Sequence, residues 1–221
     1  GRRLGPGYGP IESQALHAFI RHFRPAKIVE VGSGVSTFYM VRALEANGRS
    51  GSGKAHLTSI EPCPSEELQV LAGITLVAEQ VQRAPFEIYE TLARGDLLFI
   101  DSSHAVKPGS DVNYLILEVL PRLRSGVLVH FHDIFFPFDY QRDTLRTFFH
   151  WSETSLLRAF LINNARVRIL FSMSALHYDA PAVLNEVFPS YVRRDDANGL
   201  ELPASRPFEP LPGHFPSSMY L

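Results

Sequence analysis

The stretch KIVEVGSGVST, at residues 27–37, decides the fold. Residues 28–31 (IVEV) read as a short buried strand that runs directly into residues 32–34 (GSG), and an apolar pattern with helical spacing follows. Glycine permits positive φ and lets a ligand approach the backbone. The free N–H groups at the start of the next helix face the same space. The stretch therefore predicts the first half of a nucleotide-binding βαβ unit.

Acidic residues stand near the ends of the first two predicted strands. Glu30 lies in the first strand, where a carboxylate is costly unless it is hydrogen-bonded, and it suits a cationic or hydroxyl-bearing ligand. Residues 56–60 (HLTSI) predict a second strand, and Glu61 follows it. An acidic residue at this point is placed to accept hydrogen bonds from both ribose hydroxyls of a nucleoside.

Two later strands are predicted to deliver polar residues to the same edge of the sheet. Residues 97–100 (LLFI) are continuously apolar, as in a central parallel strand, and Asp101 and His104 follow them. Residues 126–129 (GVLV) predict a fifth strand that leads into His130, His132 and Asp133. Ligands of open α/β sheets bind at this carboxyl edge.

Taken in order, the EVGSGxST run, the acidic residue after strand two and the run GDLLFIDSSH resemble class I S-adenosylmethionine-dependent methyltransferases. The resemblance covers residues 27–133, and the pattern is most similar to the catechol O-methyltransferase-like group. It implies a Rossmann-like methyltransferase fold with helices on both faces. The sheet would be seven-stranded and mainly parallel, with an antiparallel last strand beside the fifth. It also implies methyl transfer to a small-molecule acceptor, most directly to a hydroxyl oxygen, by a single domain at residues 1–221.

The resemblance also assigns roles to individual residues. His104, His132 and Asp133 are expected to face the acceptor, with a histidine as general base because its unperturbed pKa is about 6.5. In the resembled group a metal ion is held by an Asp after strand four and an Asp-Asn pair after strand five. Asp101 and Asp133 are therefore candidate Mg²⁺ ligands, although His132 departs from that pattern. The residues expected to bind the cofactor are Glu30, Gly32, Ser33, Gly34, Ser36, Glu61, Asp101 and His104.

Two other activities stay open on the sequence alone. An NAD(P)-dependent oxidoreductase of Rossmann type needs G-x-G-x-x-G with an acidic residue about 20 residues on, whereas Thr37 stands at the third glycine position and Glu61 lies further away. A metal-dependent hydrolase using His130, His132 and Asp133 would need a different ligand spacing.

Composition narrows the class of protein. The 221 residues are 45% hydrophobic and 20% charged, which is typical of a globular domain. The net charge of −2 and the absence of a long basic run argue against nucleic acid as a partner. No apolar run is long enough to span a membrane and no signal peptide is evident. With one cysteine, Cys63, these features predict a cytoplasmic protein that acts on a small molecule, and homo-oligomerisation is left open.

Further elements follow from periodicity and composition. We expect residues 1–10 to be flexible, residues 11–23 to form a leading helix, and residues 111–124 to form a helix kinked by Pro121. Residues 166–171 and 217–221 predict the last two strands. The aromatic loop at residues 134–140 is interpreted as a substrate wall. Trp151 and Glu153 could also face the substrate, although the helix dipole is a sufficient explanation for Glu153.

Overall fold

The apolar runs of the sequence form one sheet, with helices between its strands. The computed structural model describes residues 8–51, 53–139, 151–194 and 213–221. The strands in these ranges are β1 (Lys27–Val31), β2 (His56–Ile60), β3 (Ile74–Val77), β4 (Leu97–Ile100), β5 (Leu128–Phe131), β6 (Phe171–Ser172) and β7 (Met219–Tyr220). The α-helices are α1 (Pro10–Phe23), α2 (Val35–Arg49), α3 (Glu66–Gln69), α4 (Glu87–Glu90), α5 (Asp111–Tyr114), α6 (Glu153–Leu161), α7 (Met173–Asp179) and α8 (Pro181–Val187).

The strand order is β3-β2-β1-β4-β5-β7-β6. The pairs among β1 to β5 are all parallel, while β7 runs antiparallel to both β5 and β6. This confirms the predicted seven-stranded, mainly parallel sheet with its antiparallel last strand beside the fifth. The strand order reverses between β1 and β4, and such a switch point opens a ligand crevice at the carboxyl ends of the strands.

Helices cover both faces of the sheet, as predicted. On one face, apolar side chains of β1 and β4 pack against α5 and α6, as Val29 does in a cluster with Val112 and Leu157. On the other face, Ile28 belongs to a cluster with Leu16 of α1. This alternation follows from the two-residue period of a strand buried on both sides. No helix in the described ranges is both long and apolar enough to cross a bilayer.

The helix predicted for residues 111–124 begins and ends close to the expected positions but changes its hydrogen bonding. α5 continues as a π-helical turn (Leu115–Val119) and a 3₁₀ turn (Leu120–Arg122). Pro121 has no N–H and its ring crowds the preceding turn, so a regular α-helix cannot continue through it.

The sixth strand is much shorter than predicted. Only Phe171 and Ser172 pair with β7, and of the expected residues 166–171 the side chains of Ile169 and Leu170 are half exposed. β7 offers just two residues for pairing, and beyond them one backbone hydrogen bond on each side, from Leu170 to Tyr220 and from Met173 to Ser218, ends the contact. The helix α7, which begins directly after β6, was not predicted.

The expectation of a flexible segment at residues 1–10 is wrong for its last three residues, while residues 1–7 lie outside the described ranges. Tyr8 and Gly9 are buried, and Pro10 is the first residue of α1. The Tyr8 ring packs under the sheet, with its centroid 5.8 Å from that of Phe99 and 4.8 Å from that of His132. This aromatic contact fixes the start of the leading helix.

Candidate active site

The glycine loop after β1 is held against the end of β4. Gly32 has φ 77°, and its N–H donates to the carbonyl oxygen of Ile60 at 3.1 Å. A Cβ atom at Gly32 would lie 1.9 Å from the carbonyl oxygen of Asp101. Real side chains cannot approach a backbone oxygen so closely, so both the turn and the strand contact require glycine here.

The Glu30 carboxylate is fully buried beneath this loop. It accepts hydrogen bonds from the hydroxyls of Ser36 (2.8 Å), Thr37 (2.8 and 2.9 Å) and Ser59 (2.8 Å). Burial raises the pKa of Glu30 to about 7, although the three hydroxyls act in the opposite direction. The hydrogen bonds to Glu30 thus come from hydroxyls of the protein, whereas from the sequence we expected them to come from a ligand. Since Ser36 and Thr37 belong to the first turn of α2, Glu30 fixes the start of that helix to the sheet.

Glu61 lies beside the same loop, directly after β2. Its Oε2 accepts from the Ser33 hydroxyl at 3.3 Å, and its Oε1 accepts from the Cys63 N–H at 2.9 Å. The side chain is half exposed, unlike that of Glu30. An ionised carboxylate has about four acceptor positions, so Glu61 can accept two further hydrogen bonds.

A second group of side chains lies at the ends of β4 and β5, and we call it the acceptor-side cluster. Its members are Glu12, Asp101, His104, His132, Asp133 and Glu153. His104 and Asp133 both adopt positive φ, at 57° and 54°. Such backbone angles are uncommon for residues other than glycine and concentrate at functional sites.

His104 is surrounded by three carboxylates. Its Nδ1 lies 2.7 Å from Glu153 Oε2, and its Nε2 lies 3.3 Å from Asp101 Oδ1 and 3.7 Å from Asp133 Oδ2. Burial alone would lower the pKa of His104, but the hydrogen bonds to Asp101 and Glu153 and the nearby negative charges raise it to about 10. The imidazole is therefore a cation at neutral pH, which disfavours the general-base role expected from the sequence.

His132 has a similar environment on the other side of Asp133. Its Nδ1 lies 3.2 Å from Glu12 Oε1 and its Nε2 lies 3.6 Å from Asp133 Oδ1. Burial opposes the charged form, but Asp133 and Glu12 outweigh it and hold the pKa of His132 well above its usual value. Glu12 Oε1 also accepts from the Ser217 N–H at 3.0 Å and the Ser218 hydroxyl at 2.7 Å.

His130 takes no part in this cluster. Its ring stacks on Phe99 with centroids 4.2 Å apart, and its Nε2 lies 3.4 Å from the Tyr8 hydroxyl. Burial, together with the charge of His132, holds the pKa of His130 well below its usual value. The ring is thus a neutral core side chain, which is what its position inside β5 requires.

Comparison with known proteins decides between the activities that the sequence left open. Residues 29–134 match the family model for a methyltransferase domain. These residues, just under half of the chain, are similar to methyltransferase domains. The match includes the glycine loop, Glu61 and the ends of β4 and β5, which confirms the resemblance over these residues. The dehydrogenase and the metal-dependent hydrolase are not favoured.

Individual relatives of the methyltransferase domain are distant. An uncharacterized protein of Archaeoglobus fulgidus is 34% identical over 86 residues, which are 37% of this chain and 38% of that protein. An O-methyltransferase from Bacillus cereus in complex with SAH is 16% identical, with 70% of each chain covered and a TM-score of 0.45. TomG from Streptomyces achromogenes, an O-methyltransferase in complex with SAM, is 19% identical over 71% of this chain and 68% of its own, with a TM-score of 0.44. The observed strand order, and not these distant similarities, defines the fold.

The methyltransferase domain places the two candidate metal ligands against a histidine. Asp101 and Asp133 both approach His104 Nε2, so a cation bridging the two carboxylates would compete with the imidazolium. Mg²⁺ is ordinarily held by one or two carboxylates, with waters completing its six oxygen ligands. In the described ranges no group of three or more His, Cys, Asp and Glu side chains is arranged to hold a metal ion. The two carboxylates suit Mg²⁺ by their chemistry, but the cation would have to displace the His104 imidazolium that contacts both, so the metal site stays a prediction.

Two members of the acceptor-side cluster are not among the predicted site residues: Glu12 is assigned no role from the sequence, and Glu153 is noted as a residue that could face the substrate but is explained by the helix dipole. Glu12 continues the apolar stripe of α1 through Leu16 and Phe19, and Glu153 continues that of α6 through Leu157. Both carboxylates are almost fully buried. A carboxylate on an apolar helix face needs a partner. The sequence therefore does contain a sign of both residues: each is a carboxylate at a position where the helical period predicts a buried apolar side chain.

The aromatic segment after β5 is divided between core and surface. Ile134 and Phe135 are buried, whereas Phe138 is 52% exposed and Tyr140 lies outside the described ranges. Trp151 connects this segment to the site, with its ring centroid 4.6 Å from that of His104 and 6.4 Å from that of Phe135. The substrate wall at residues 134–140 stays a prediction, and Trp151 lies between Phe135 of this segment and His104 of the site.

A separate apolar cavity of about 340 Å³ lies among α1, α7 and α8. Its wall includes Phe19, Phe171, Leu184 and Phe188, and it contains none of the residues predicted for the site. Its apolar lining has no carboxylate to bind a ribose, so this cavity is not the cofactor site.

Proposed function

We propose that this protein transfers the methyl group of S-adenosylmethionine to a hydroxyl oxygen of a small molecule. The observation that carries the proposal is the position of the glycine loop and Glu61 beside a buried cluster of carboxylates and imidazoles, at the switch point of a methyltransferase-type sheet. S-adenosylmethionine supplies, when bound, an electrophilic methyl group on a positively charged sulfur. The protein has to hold the donor, place the acceptor oxygen in line with it and exclude water.

The cofactor side is formed by the ends of β1, β2 and β4. The backbone of Gly32, Ser33 and Gly34 can approach the donor closely, and Glu61 accepts hydrogen bonds from its ribose hydroxyls. Glu30 and Ser36 support the loop from below through their mutual hydrogen bond. Asp101 and His104 follow β4, where the two sides of the site meet.

The acceptor-side cluster contains more acidic than basic side chains. The cluster contains four carboxylates, Glu12, Asp101, Asp133 and Glu153, against two imidazoles. An excess of carboxylates attracts a cationic group such as a sulfonium. Asp101 and Asp133 are the more accessible members, with side chains 28% and 13% exposed, whereas those of His104 and His132 are 7% and 3% exposed. We therefore expect Asp133 to lie next to the acceptor hydroxyl, with Nε2 of His104 and Nε2 of His132 at ion-pair distances of 3.7 and 3.6 Å from its two oxygens.

The decisive test is calorimetric titration of S-adenosylmethionine and of its demethylated product into the purified protein, with NAD(P) titrated in parallel. Micromolar binding of the first two and none of NAD(P) would support the proposal. Binding of NAD(P) alone would overturn it. Repeating the titrations with EDTA and with Mg²⁺ tests the metal, and we expect both affinities to stay the same.

Glu61→Ala is expected to weaken S-adenosylmethionine binding by about 1–3 kcal/mol, because the ribose hydroxyls lose their acceptor. Calorimetry measures the change. Glu45→Ala is the matched control, because Glu45 is an exposed residue of α2 whose partner is Arg42. An unchanged affinity in Glu61→Ala would contradict the assignment of Glu61 to the ribose.

Asp133→Asn is expected to lower turnover by about 100-fold or more, because it removes the carboxylate nearest the acceptor hydroxyl. Its effect on S-adenosylmethionine affinity should be much smaller. Formation of the demethylated product is followed with a panel of catechols, phenols and aliphatic alcohols. A variant that loses cofactor affinity but retains turnover at saturation would place Asp133 on the donor side instead.

The wider expectations from the sequence belong to the same proposal. We propose that residues 1–221 form a single methyltransferase domain, since the strands of one sheet come from residues 27 to 220. The partner is a small-molecule acceptor. The exposed Cys63 fits a reducing compartment such as the cytoplasm.

A further inference from the structure

We infer that Glu153 and Glu12 are positioning residues of the acceptor side. Each is a buried carboxylate on a helix outside the sheet, and each holds one imidazole so that its Nε2 faces Asp133. The catalytic meaning of this arrangement rests on the proposed function, whereas the arrangement itself can be tested without any substrate.

The contacts form a nearly symmetric chain of five side chains. Glu153 Oε2 lies 2.7 Å from Nδ1 of His104, and Glu12 Oε1 lies 3.2 Å from Nδ1 of His132. The two Nε2 atoms then lie 3.7 Å and 3.6 Å from the two carboxylate oxygens of Asp133. Carboxylate and imidazole alternate along the whole chain, and Asp133 is its centre.

This geometry determines which way each ring faces. An ionised carboxylate only accepts hydrogen bonds, so Nδ1 of His104 carries the proton of its 2.7 Å hydrogen bond to Glu153. Nδ1 of His132 lies at an ion-pair distance of 3.2 Å from Glu12. A carboxylate beside one ring nitrogen of an imidazolium fixes the orientation of the ring and stabilises its positive charge. Glu153 and Glu12 thus act on Asp133 through the two rings.

The Glu153 side of the chain is also fixed through the backbone. The N–H groups of Ser152 and Glu153 donate to the carbonyl oxygen of His104, at 2.9 Å and 3.2 Å. The N–H of Val106 donates to the Ser152 hydroxyl at 3.0 Å. These hydrogen bonds attach the start of α6 to the loop after β4. They therefore restrict the position of the Glu153 backbone relative to His104.

The Glu12 side connects the first helix with the last strand. The oxygen that faces His132 also accepts from the Ser217 N–H and the Ser218 hydroxyl, and the Ser217 hydroxyl donates to Asp133 Oδ1 at 2.7 Å. Packing alone does not explain these residues, because an apolar side chain would complete the helix stripes at lower cost. The apolar faces of α1 and α6 are each interrupted by one buried carboxylate. Each of these carboxylates contacts a histidine whose other ring nitrogen faces Asp133.

The test uses NMR to compare the histidine ring signals of variants in which either glutamate is replaced by glutamine with those of control variants at neighbouring residues. In protein labelled with ¹⁵N-histidine, long-range ¹H–¹⁵N spectra report the protonation of each ring nitrogen, with His104→Gln and His132→Gln assigning the signals. Glu153→Gln should shift the Nδ1 signal of His104 and speed exchange of its proton, and Glu12→Gln should do the same for His132. Thr154→Val and Ser13→Ala change buried neighbours of the two glutamates, and they should leave both imidazole signals unchanged.

The same variants separate positioning from stability. With an acceptor found in the panel, Glu153→Gln should lower kcat by about 10- to 100-fold with little change in KM for S-adenosylmethionine. Thr154→Val should lower the thermal midpoint, because the Phe135 N–H loses its acceptor, but should retain kcat.

The inference would be overturned if Glu153→Gln left the His104 signals unchanged, or if Thr154→Val shifted them equally. If Glu12→Gln fails to fold, the inference is tested by comparing the His104 signals of Glu153→Gln with those of Thr154→Val. Absence of S-adenosylmethionine binding by the wild-type protein would overturn the proposed function instead, while the imidazole spectra would still show whether the two glutamates orient the rings.

Discussion

Gly32→Ala is expected to abolish measurable S-adenosylmethionine binding and to lower the free energy of unfolding by about 3 kcal/mol or more. The new Cβ atom would lie 1.9 Å from the carbonyl oxygen of Asp101, and φ 77° adds backbone strain for alanine. Relief requires that β1 and β4 separate at their carboxyl ends. That movement displaces the glycine loop and Asp101 together, so stability and cofactor binding should fall together.

Chemical denaturation and calorimetry measure the two effects of Gly32→Ala. Gly48→Ala is the matched control, because Gly48 lies inside α2 and a Cβ atom there meets nothing within 4 Å. Alanine is the better helix former by about 1 kcal/mol, so the control should be neutral or stabilising. A Gly32→Ala protein with wild-type stability and affinity would show that the close approach of β1 and β4 is not needed.

Glu30→Gln is expected to change how stability depends on pH. Burial raises the pKa of Glu30 to about 7, against 4.5 for an ordinary glutamate, so between these values the folded state keeps a proton that the unfolded state releases. The stabilisation that Glu30 contributes is complete below pH 4.5 and is lost as the pH rises through about 7. The loss amounts to about 3 kcal/mol, and glutamine does not titrate. The difference in unfolding free energy should therefore shift by about that amount in favour of Glu30→Gln between pH 4.5 and pH 8.

Urea unfolding of both proteins across this pH range gives the difference directly. Other titrating groups contribute equally to both proteins and cancel. Glu45→Gln, which removes an exposed carboxylate of α2 that pairs with Arg42, is the matched control. A constant difference between Glu30→Gln and wild type would mean that burial does not raise the pKa of Glu30.

The sequence was informative where a local pattern determines local structure. The strand, glycine and helix order at residues 27–37 required a βαβ turn, and the acidic residue after β2 was correctly placed beside it. The apolar run at residues 97–100 had to be a central strand because both of its faces are buried. These features depend on neighbours in the chain, so periodicity and turn chemistry are sufficient to find them.

The sequence was less informative where a side chain depends on distant partners. The partners of Glu30 are hydroxyls 6, 7 and 29 residues away, so the sequence alone did not show that protein groups satisfy it. His104 was expected to be a base on its ordinary pKa, but Glu153, 49 residues away, changes that value. The short β6 likewise depends on the two residues of β7 that pair with it.

The contact between Glu12 and Ser217 spans 205 residues, and it joins α1 to the segment before β7 at the acceptor-side cluster. The glycine loop, Glu61 and Asp133 all lie within the matched residues 29–134, whereas Glu12, Glu153 and Ser217 lie outside them. Under the proposed function, the groups that orient the acceptor side are thus contributed by flanking segments with no part in the donor loop. Substitutions in those segments would then change acceptor preference while the donor loop is left intact.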